Sequence, residues 1–193
     1  MLVTDDRLIG GRDPTALALA AERGGATAVQ LRLKRAGARE QVALARALVG
    51  ALRIPLLVND RPDIAFSAGA AGVHLGPADL PVRLARRIAP PGFLIGASVG
   101  SEAEAAEAGE ADYWGIGPWR ATPTKDDAGE PLGAKGFTRL LRLAGGRPCL
   151  AIGGVRPEDV PLVLAAGGGG VAVGAGLLET DDVEGAARRY AGR

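Results

Sequence analysis

The chain has 193 residues, 47% of them apolar and 23% charged, which is enough for one well-buried domain and too few for two of ordinary size. Lysine and arginine number 23 against 22 aspartate and glutamate, so no global field would hold a polyanion, and a nucleic-acid partner is not expected. One cysteine, Cys149, and one histidine, His74, are too few for an internal disulfide or a structural zinc site, and no run approaches the ~20 apolar residues of a membrane span. Met1 leads directly into Leu2-Val3-Thr4-Asp5 with no basic segment before a long apolar core, so a cytoplasmic location away from any membrane is expected.

Short apolar runs predict strands at 1–4, 28–31, 54–58, 72–75, 93–97, 113–116, 149–152 and 170–173. Segments rich in Ala and Leu, with charges at helical spacing, predict helices at 14–23, 39–52, 82–88, 102–108, 137–144, 158–166 and 183–191. Asp13 before Pro14 supplies an N-cap followed by proline in the first turn, and Ser101 with Glu104 fits a capping box. The strand runs are nearly continuous in apolar residues, as in parallel strands covered by helices on the outside and by packed side chains within. Eight such units predict an α/β fold, a single-domain (β/α)8 barrel over 1–193; an open doubly wound sheet is the alternative. The longest stretch without periodicity, 118–135, follows the sixth strand, on the face where such barrels carry their chemistry.

The unusual polar residues fall at the C-terminal ends of these strands. In Gln30-Leu31-Arg32-Leu33-Lys34, alternation puts Gln30, Arg32 and Lys34 on one side, either toward a cavity or as a solvated basic strand end. The third strand ends in Val58-Asn59-Asp60 and the fourth leads through His74-Leu75-Gly76 to Asp79. Two carboxylates beside cations suit Mg2+, which takes oxygen ligands and keeps waters and substrate phosphates; the competing reading makes Asp60 and Asp79 helix N-caps. Ser98 follows the fifth strand and is either a ligand contact or a turn residue. Gly153-Gly154 and Gly174-Ala175-Gly176 end the last two strands, where a phosphate cradle and close helix packing are both open. Thr122, Thr124 and Lys125 on the sixth loop would serve a second anionic group. Cys149 reads as an inert apolar residue, and His74 receives no acid–base role.

With these segments in this order, the sequence resembles the thiamine phosphate synthase family, which also includes the TenI-type thiazole tautomerases. The resemblance spans nearly the whole chain. It is carried by Leu2-Val3-Thr4-Asp5, Gln30-Leu31-Arg32-Leu33-Lys34, Val58-Asn59-Asp60, Gly72-Val73-His74-Leu75-Gly76 with Asp79, Ile95-Gly96-Ala97-Ser98 and Asp112-Tyr113-Trp114-Gly115-Ile116-Gly117-Pro118. Thr122-Pro123-Thr124-Lys125, Ala151-Ile152-Gly153-Gly154-Val155 and Gly170-Val171-Ala172-Val173 complete it.

The resemblance implies a (β/α)8 transferase that couples hydroxymethylpyrimidine diphosphate to hydroxyethylthiazole phosphate with Mg2+, releasing pyrophosphate by a dissociative substitution. It implies that Arg32, Lys34, Asn59 and Lys125 hold pyrophosphate, with Lys125, Arg32 and Lys34 as the catalytic cations. It also assigns Asp60 and Asp79 to Mg2+, and Gln30 and Ser98 to the pyrimidine. Thr122 and Thr124 go to pyrophosphate or to the thiazole phosphate, and Gly153, Gly154 and Gly174 to the thiazole phosphate. The partners it implies are small phosphorylated substrates, and it is compatible with a homodimer. The sequence departs from the family pattern at Leu33, at Pro77 and Ala78, and around Gly174 and Ala175, where the family usually has acidic, Gln-plus-acidic and hydroxyl residues respectively. Two alternatives follow from the resemblance. One is a thiazole tautomerase, disfavoured because Pro118 stands where tautomerases carry histidine. The other is a non-catalytic paralogue that binds a phosphorylated metabolite.

Overall fold

The computed structural model describes residues 1–122 and 129–192. In chain order the elements are β1 (Leu2–Val3), α1 (Asp6–Ile9), α2 (Pro14–Arg23), β2 (Val29–Leu31), α3 (Ala38–Ala51), β3 (Leu56–Asn59), α4 (Pro62–Ala68), β4 (Gly72–Leu75), α5 (Val82–Ile88), β5 (Leu94–Val99) and α6 (Glu102–Glu107). They continue with β6 (Tyr113–Ile116), α7 (Gly133–Leu141), β7 (Cys149–Ile152), α8 (Val160–Ala165), β8 (Gly170–Ala172), α9 (Ala175–Leu178) and α10 (Val183–Ala191). The eight strands form one sheet in the order β1 to β8, and β1–β2–β3–β4 and β5–β6–β7–β8 pair in parallel. A doubly wound sheet reverses its strand order partway across; an unbroken chain order is that of the (β/α)8 class. The predicted fold class is therefore correct.

The chain divides into two compact units, Met1–His74 with Gly174–Arg193, and Leu75–Val173. In the first, Leu2, Val29, Val58, Ala45, Leu48 and Ala186 are fully buried, and α2 packs on α3 and α10. The α2–α10 approach is close enough to dictate a residue type: a Cβ on Gly24 would lie 2.4 Å from the Glu184 carbonyl oxygen and 2.5 Å from Ala187 Cβ. In the second unit Ile95, Trp114, Ile116, Phe137, Leu140 and Val163 make the core. Each such large side chain contributes about 1.5–3 kcal/mol through removal from water. The Trp119 ring meets Phe137 edge-on at 5.7 Å, and the Trp114 indole N–H donates to the Ala108 carbonyl at 3.0 Å.

Several boundaries differ from those predicted. β3 starts at Leu56, not 54, because Pro55 has no N–H to give to the ladder. β5 runs through Ser98 to Val99, which pair with Gly115 and Ile116, so Ser98 lies within the strand. α7 starts at Gly133, which moves 133–135 from the predicted loop into a helix. The segment 158–166 splits into a 3-10 turn at Pro157–Asp159 followed by α8. Helices α1, α4 and α9 are not foreseen at all; α1 and α9, with four residues each, are too short to display a helical period. Asp13 caps α2 as expected, its carboxylate accepting the Thr15 N–H at 2.9 Å. Ser101 caps α6, but Glu104 accepts the Gly100 N–H rather than that of Ser101, so the box is shifted by one residue. No described helix is long and apolar enough to cross a membrane.

Candidate active-site clusters

In the first unit, the ends of β1, β2 and β3 bring a polar cluster out of the core. Thr4 and Asp5 leave β1 buried, at 1% and 4% exposure. The Thr4 N–H donates to the Gln30 carbonyl at 2.9 Å, and its Oγ1 accepts the Arg32 N–H at 2.8 Å and donates to the Arg32 carbonyl at 3.3 Å. This fixes the main chain of Arg32 beyond the last ladder pair. The Arg32 side chain is buried as well, with Nη1 on the Asp5 carboxylate and a buried Nε that has no hydrogen-bond partner among the described residues. Gln30 Nε2 donates to Asn59 Oδ1 at 2.7 Å, and Lys34 Nζ lies 3.3 Å from Asp60 Oδ2. Gln30–Asn59, Lys34–Asp60 and Arg32–Asp5 are thus three side-chain pairs at the ends of β1, β2 and β3, with Lys34 the most exposed of these residues.

Asp60 has a backbone φ of 64°, unusual for a residue with a side chain. Its N–H donates to the His74 carbonyl at 2.8 Å while the Arg61 N–H returns to the Asn59 carbonyl at 2.8 Å, making a tight turn that ends β3. The reading of Asp60 as a helix cap fails, since Arg61 occupies the N-cap of α4. Gly174, in the same unit, is the N-cap of α9, and its carbonyl accepts the Leu177 and Leu178 N–H groups.

The second unit holds Asp79, Ser98, Thr122, Gly153 and Gly154. Asp79 is not a helix cap either: Pro81 holds that position in α5, and the Asp79 carboxylate closes the turn after β4 by accepting the Gly76 N–H at 2.6 Å. Ser98 is half-buried in β5 opposite Gly115. Gly153 and Gly154 have φ of 86° and 67°, and a Cβ on them would come within 2.8 Å of Pro118 Cβ and 2.9 Å of Arg120 Cβ. Their smallness therefore serves the close passage of the chain after β6, a constraint different from the helix packing named as the alternative to a phosphate cradle. Thr122 lies beside them, its Cγ2 3.6 Å from a Cβ placed on Gly153. Thr124 and Lys125 lie outside the described residues.

Sequence reasoning missed the residues that anchor both clusters. In the first it gave Asp5 no role. In the second, the stretch after β6 is tied down by Trp119 and Arg120, whose N–H groups donate to Ile152 and Gly153 carbonyls at 2.8 and 2.9 Å. Asp159, 1% exposed, pairs with the Arg120 guanidinium and accepts the Arg156 N–H at 2.9 Å. Burial pushes the Asp159 carboxyl up, but the Arg156 N–H, Arg120 and Trp119 together hold it below its ordinary value. A polar residue directly after an apolar strand run was the available signal for Asp5; Asp159 sat inside a segment read only as helix.

A family model described as Thiamine monophosphate synthase matches residues 1–177. The chain is 48% identical over 195 residues to the thiamine-phosphate synthase of Methanoculleus marisnigri, across 97% of this chain and 90% of that protein. It is 46% identical over 192 residues to the thiamine-phosphate synthase of Azorhizobium caulinodans, with the same two coverages of 97% and 90%. Among solved structures, a thiamine phosphate pyrophosphorylase from Pyrococcus furiosus matches with a TM-score of 0.87 at 34% identity, over 99% of this chain and 93% of that one.

Proposed function

The chain belongs to the thiamine monophosphate synthase family and makes thiamine phosphate, and from that premise we propose how its residues divide the work. The enzyme is a transferase that joins hydroxymethylpyrimidine diphosphate to hydroxyethylthiazole phosphate. The bond between the pyrimidine methylene carbon and the diphosphate oxygen breaks, and its electron pair leaves with pyrophosphate. The thiazole nitrogen then gives its lone pair to the methylene carbon, closing the C–N bond.

Such a reaction needs no protein nucleophile. It needs charge on the leaving group to be met by prearranged donors and the two substrates to be held in line, effects worth about 10²–10³ in rate for a single well-placed donor. The observation that carries the assignment of roles is the buried Arg32 Nε, which has no hydrogen-bond partner among the described residues, two positions before the half-exposed Lys34 at the end of β2. Arg32, Lys34 and Asn59 bind the diphosphate, with Lys125 from the loop after β6 as a third cation. Gln30 and Ser98 orient the pyrimidine. Thr122 and Thr124 bind pyrophosphate or the thiazole phosphate, and Gly153, Gly154 and Gly174 take the thiazole phosphate. Pro118, where a tautomerase would carry histidine, supports synthase over tautomerase chemistry.

The proposed cofactor is Mg2+, held by Asp60 and Asp79. The carboxylate of Asp60 is a quarter exposed, with one oxygen on Lys34. Among the described residues no three His, Cys, Asp or Glu side chains are gathered as a metal cage, and Mg2+ needs only one or two carboxylates, filling its shell with phosphate and water. Bound there, Mg2+ would neutralise charge on the diphosphate oxygens. The soluble, phosphorylated nature of both substrates supports a cytoplasmic place of work.

The test is a pair of variants. Asp60→Asn combined with Asp79→Asn is expected to abolish the response of turnover to added Mg2+, and Lys125→Ala to lower kcat by about a hundredfold. A double variant with the wild-type magnesium response, or an unchanged kcat/KM in Lys125→Ala, removes the corresponding role.

A further inference from the structure

Asp5 is buried and both of its oxygens are engaged. Oδ1 accepts the Arg7 N–H at 3.0 Å, capping α1, and Oδ2 accepts from Arg32 Nη1. The main chain of Arg32 is fixed separately by Thr4 Oγ1, so Asp5 acts on the guanidinium alone. What this arrangement leaves is Arg32 Nε, buried and without a hydrogen-bond partner among the described residues. A buried N–H with no acceptor is costly, and native proteins tolerate few of them. A tether on one edge of a guanidinium that leaves another donor unused suits a group held ready for an incoming acceptor.

We propose that Asp5 is a positioning residue, which holds the Arg32 guanidinium so that its Nε–H is aimed at an oxygen of the diphosphate substrate. The proposal rests on the reading of Arg32 as a diphosphate-binding residue. The Asp5 carboxylate faces Arg32 and, at 3.8 Å, the Arg7 Nε, and what it gives Arg32 is direction: a planar donor in fixed orientation. The half-exposed Lys34 supplies mobile positive charge beside it. Without Asp5, the guanidinium would have to be ordered afresh each time substrate bound, at a cost in conformational freedom.

The capping and positioning roles of Asp5 separate by substitution. Asp5→Ser keeps a hydroxyl to cap the Arg7 N–H but is too short to hold Arg32. Asp5→Asn offers one acceptor oxygen where two are used. The experiment measures kcat/KM for hydroxymethylpyrimidine diphosphate and KM for the thiazole phosphate in Asp5→Ser, Arg32→Gln and the double variant, with folding followed by circular dichroism. The expected result has three parts. Asp5→Ser loses about tenfold or more in kcat/KM for the diphosphate, leaves the thiazole phosphate KM unchanged, and adds no further loss to Arg32→Gln. Should Asp5→Ser fail to fold, Asp5→Asn takes its place in the cycle with the same expected non-additivity.

Wild-type kinetics in the Asp5 variant, or losses that multiply in the double variant, overturn the positioning role while leaving Arg32 as a substrate contact. Wild-type kinetics in Arg32→Gln overturn the reading of Arg32 itself, and the role of Asp5 with it.

Discussion

Gln30 Nε2 donates to Asn59 Oδ1 across 2.7 Å, and the register explains why: Gln30 pairs with Leu57, so Asn59, two residues further along β3, projects from the same face. The carbonyl end of the Asn59 carboxamide is turned to Gln30, which leaves its NH2 to donate to an anion.

Asn59→Asp separates those two ends. An aspartate keeps an oxygen for Gln30, so the thermal midpoint is expected to move little, while the amide donor is replaced by a negative charge. The KM for the pyrimidine diphosphate is expected to rise about tenfold or more. Steady-state kinetics at saturating thiazole phosphate measure it; an unchanged KM would take Asn59 out of the diphosphate site.

Gly96→Ala tests the packing of β5 on β6. A Cβ at Gly96 would fall 2.1 Å from Tyr113 Cζ, and the two residues are direct partners in the ladder. The ring must move, and overpacking of this kind costs about 1–3 kcal/mol. Urea unfolding is expected to show that loss, and Tyr113→Val in the same chain to recover part of it. Equal stability of Gly96→Ala and wild type would contradict the close approach.

Asp159 gives a pH signature. Its carboxyl is held below the ordinary value of 3.8, so the folded state binds its proton less tightly than the unfolded chain. The resulting stabilisation is fully present above the unfolded value and is lost as pH falls through the folded one. The stability gap between wild type and Asp159→Asn is therefore expected to narrow as pH falls through the unfolded value of 3.8 and below it in chemical denaturation. A gap that widens in acid would reverse the sign of the shift.

Cys149 is 1% exposed, and burial pushes its thiol up to about 11. The thiolate is the reactive form, so labelling by a disulfide reagent at neutral pH is expected to be slow in the native protein and to become fast on unfolding. Rapid labelling of the folded protein would contradict the burial of β7.

The strands were legible because each run is apolar almost throughout, as in 72–75 and 149–152, and these two were predicted at their observed bounds. Helices α1, α4 and α9 were not: the four residues of α1 and α9 carry no readable period, and the starts of α1 and α4 are set by single residues, Asp5 and Pro62. The polar residues at strand ends were visible as types. Their partners were not, since Arg32–Asp5 and Arg120–Asp159 join positions 27 and 39 residues apart. Neither pairing leaves a trace in local spacing. Gly153 and Gly154 show the converse: the sequence marked the positions, and the close approach of Pro118 and Arg120 is visible only in the fold.

The most direct test incubates the purified protein with hydroxymethylpyrimidine diphosphate and hydroxyethylthiazole phosphate, with Mg2+ and with the metal chelated, and follows thiamine phosphate and pyrophosphate together. The account predicts equal amounts of both products, formed only when both substrates and Mg2+ are present. No thiamine phosphate under those conditions, from protein that still binds the thiazole phosphate, would contradict it.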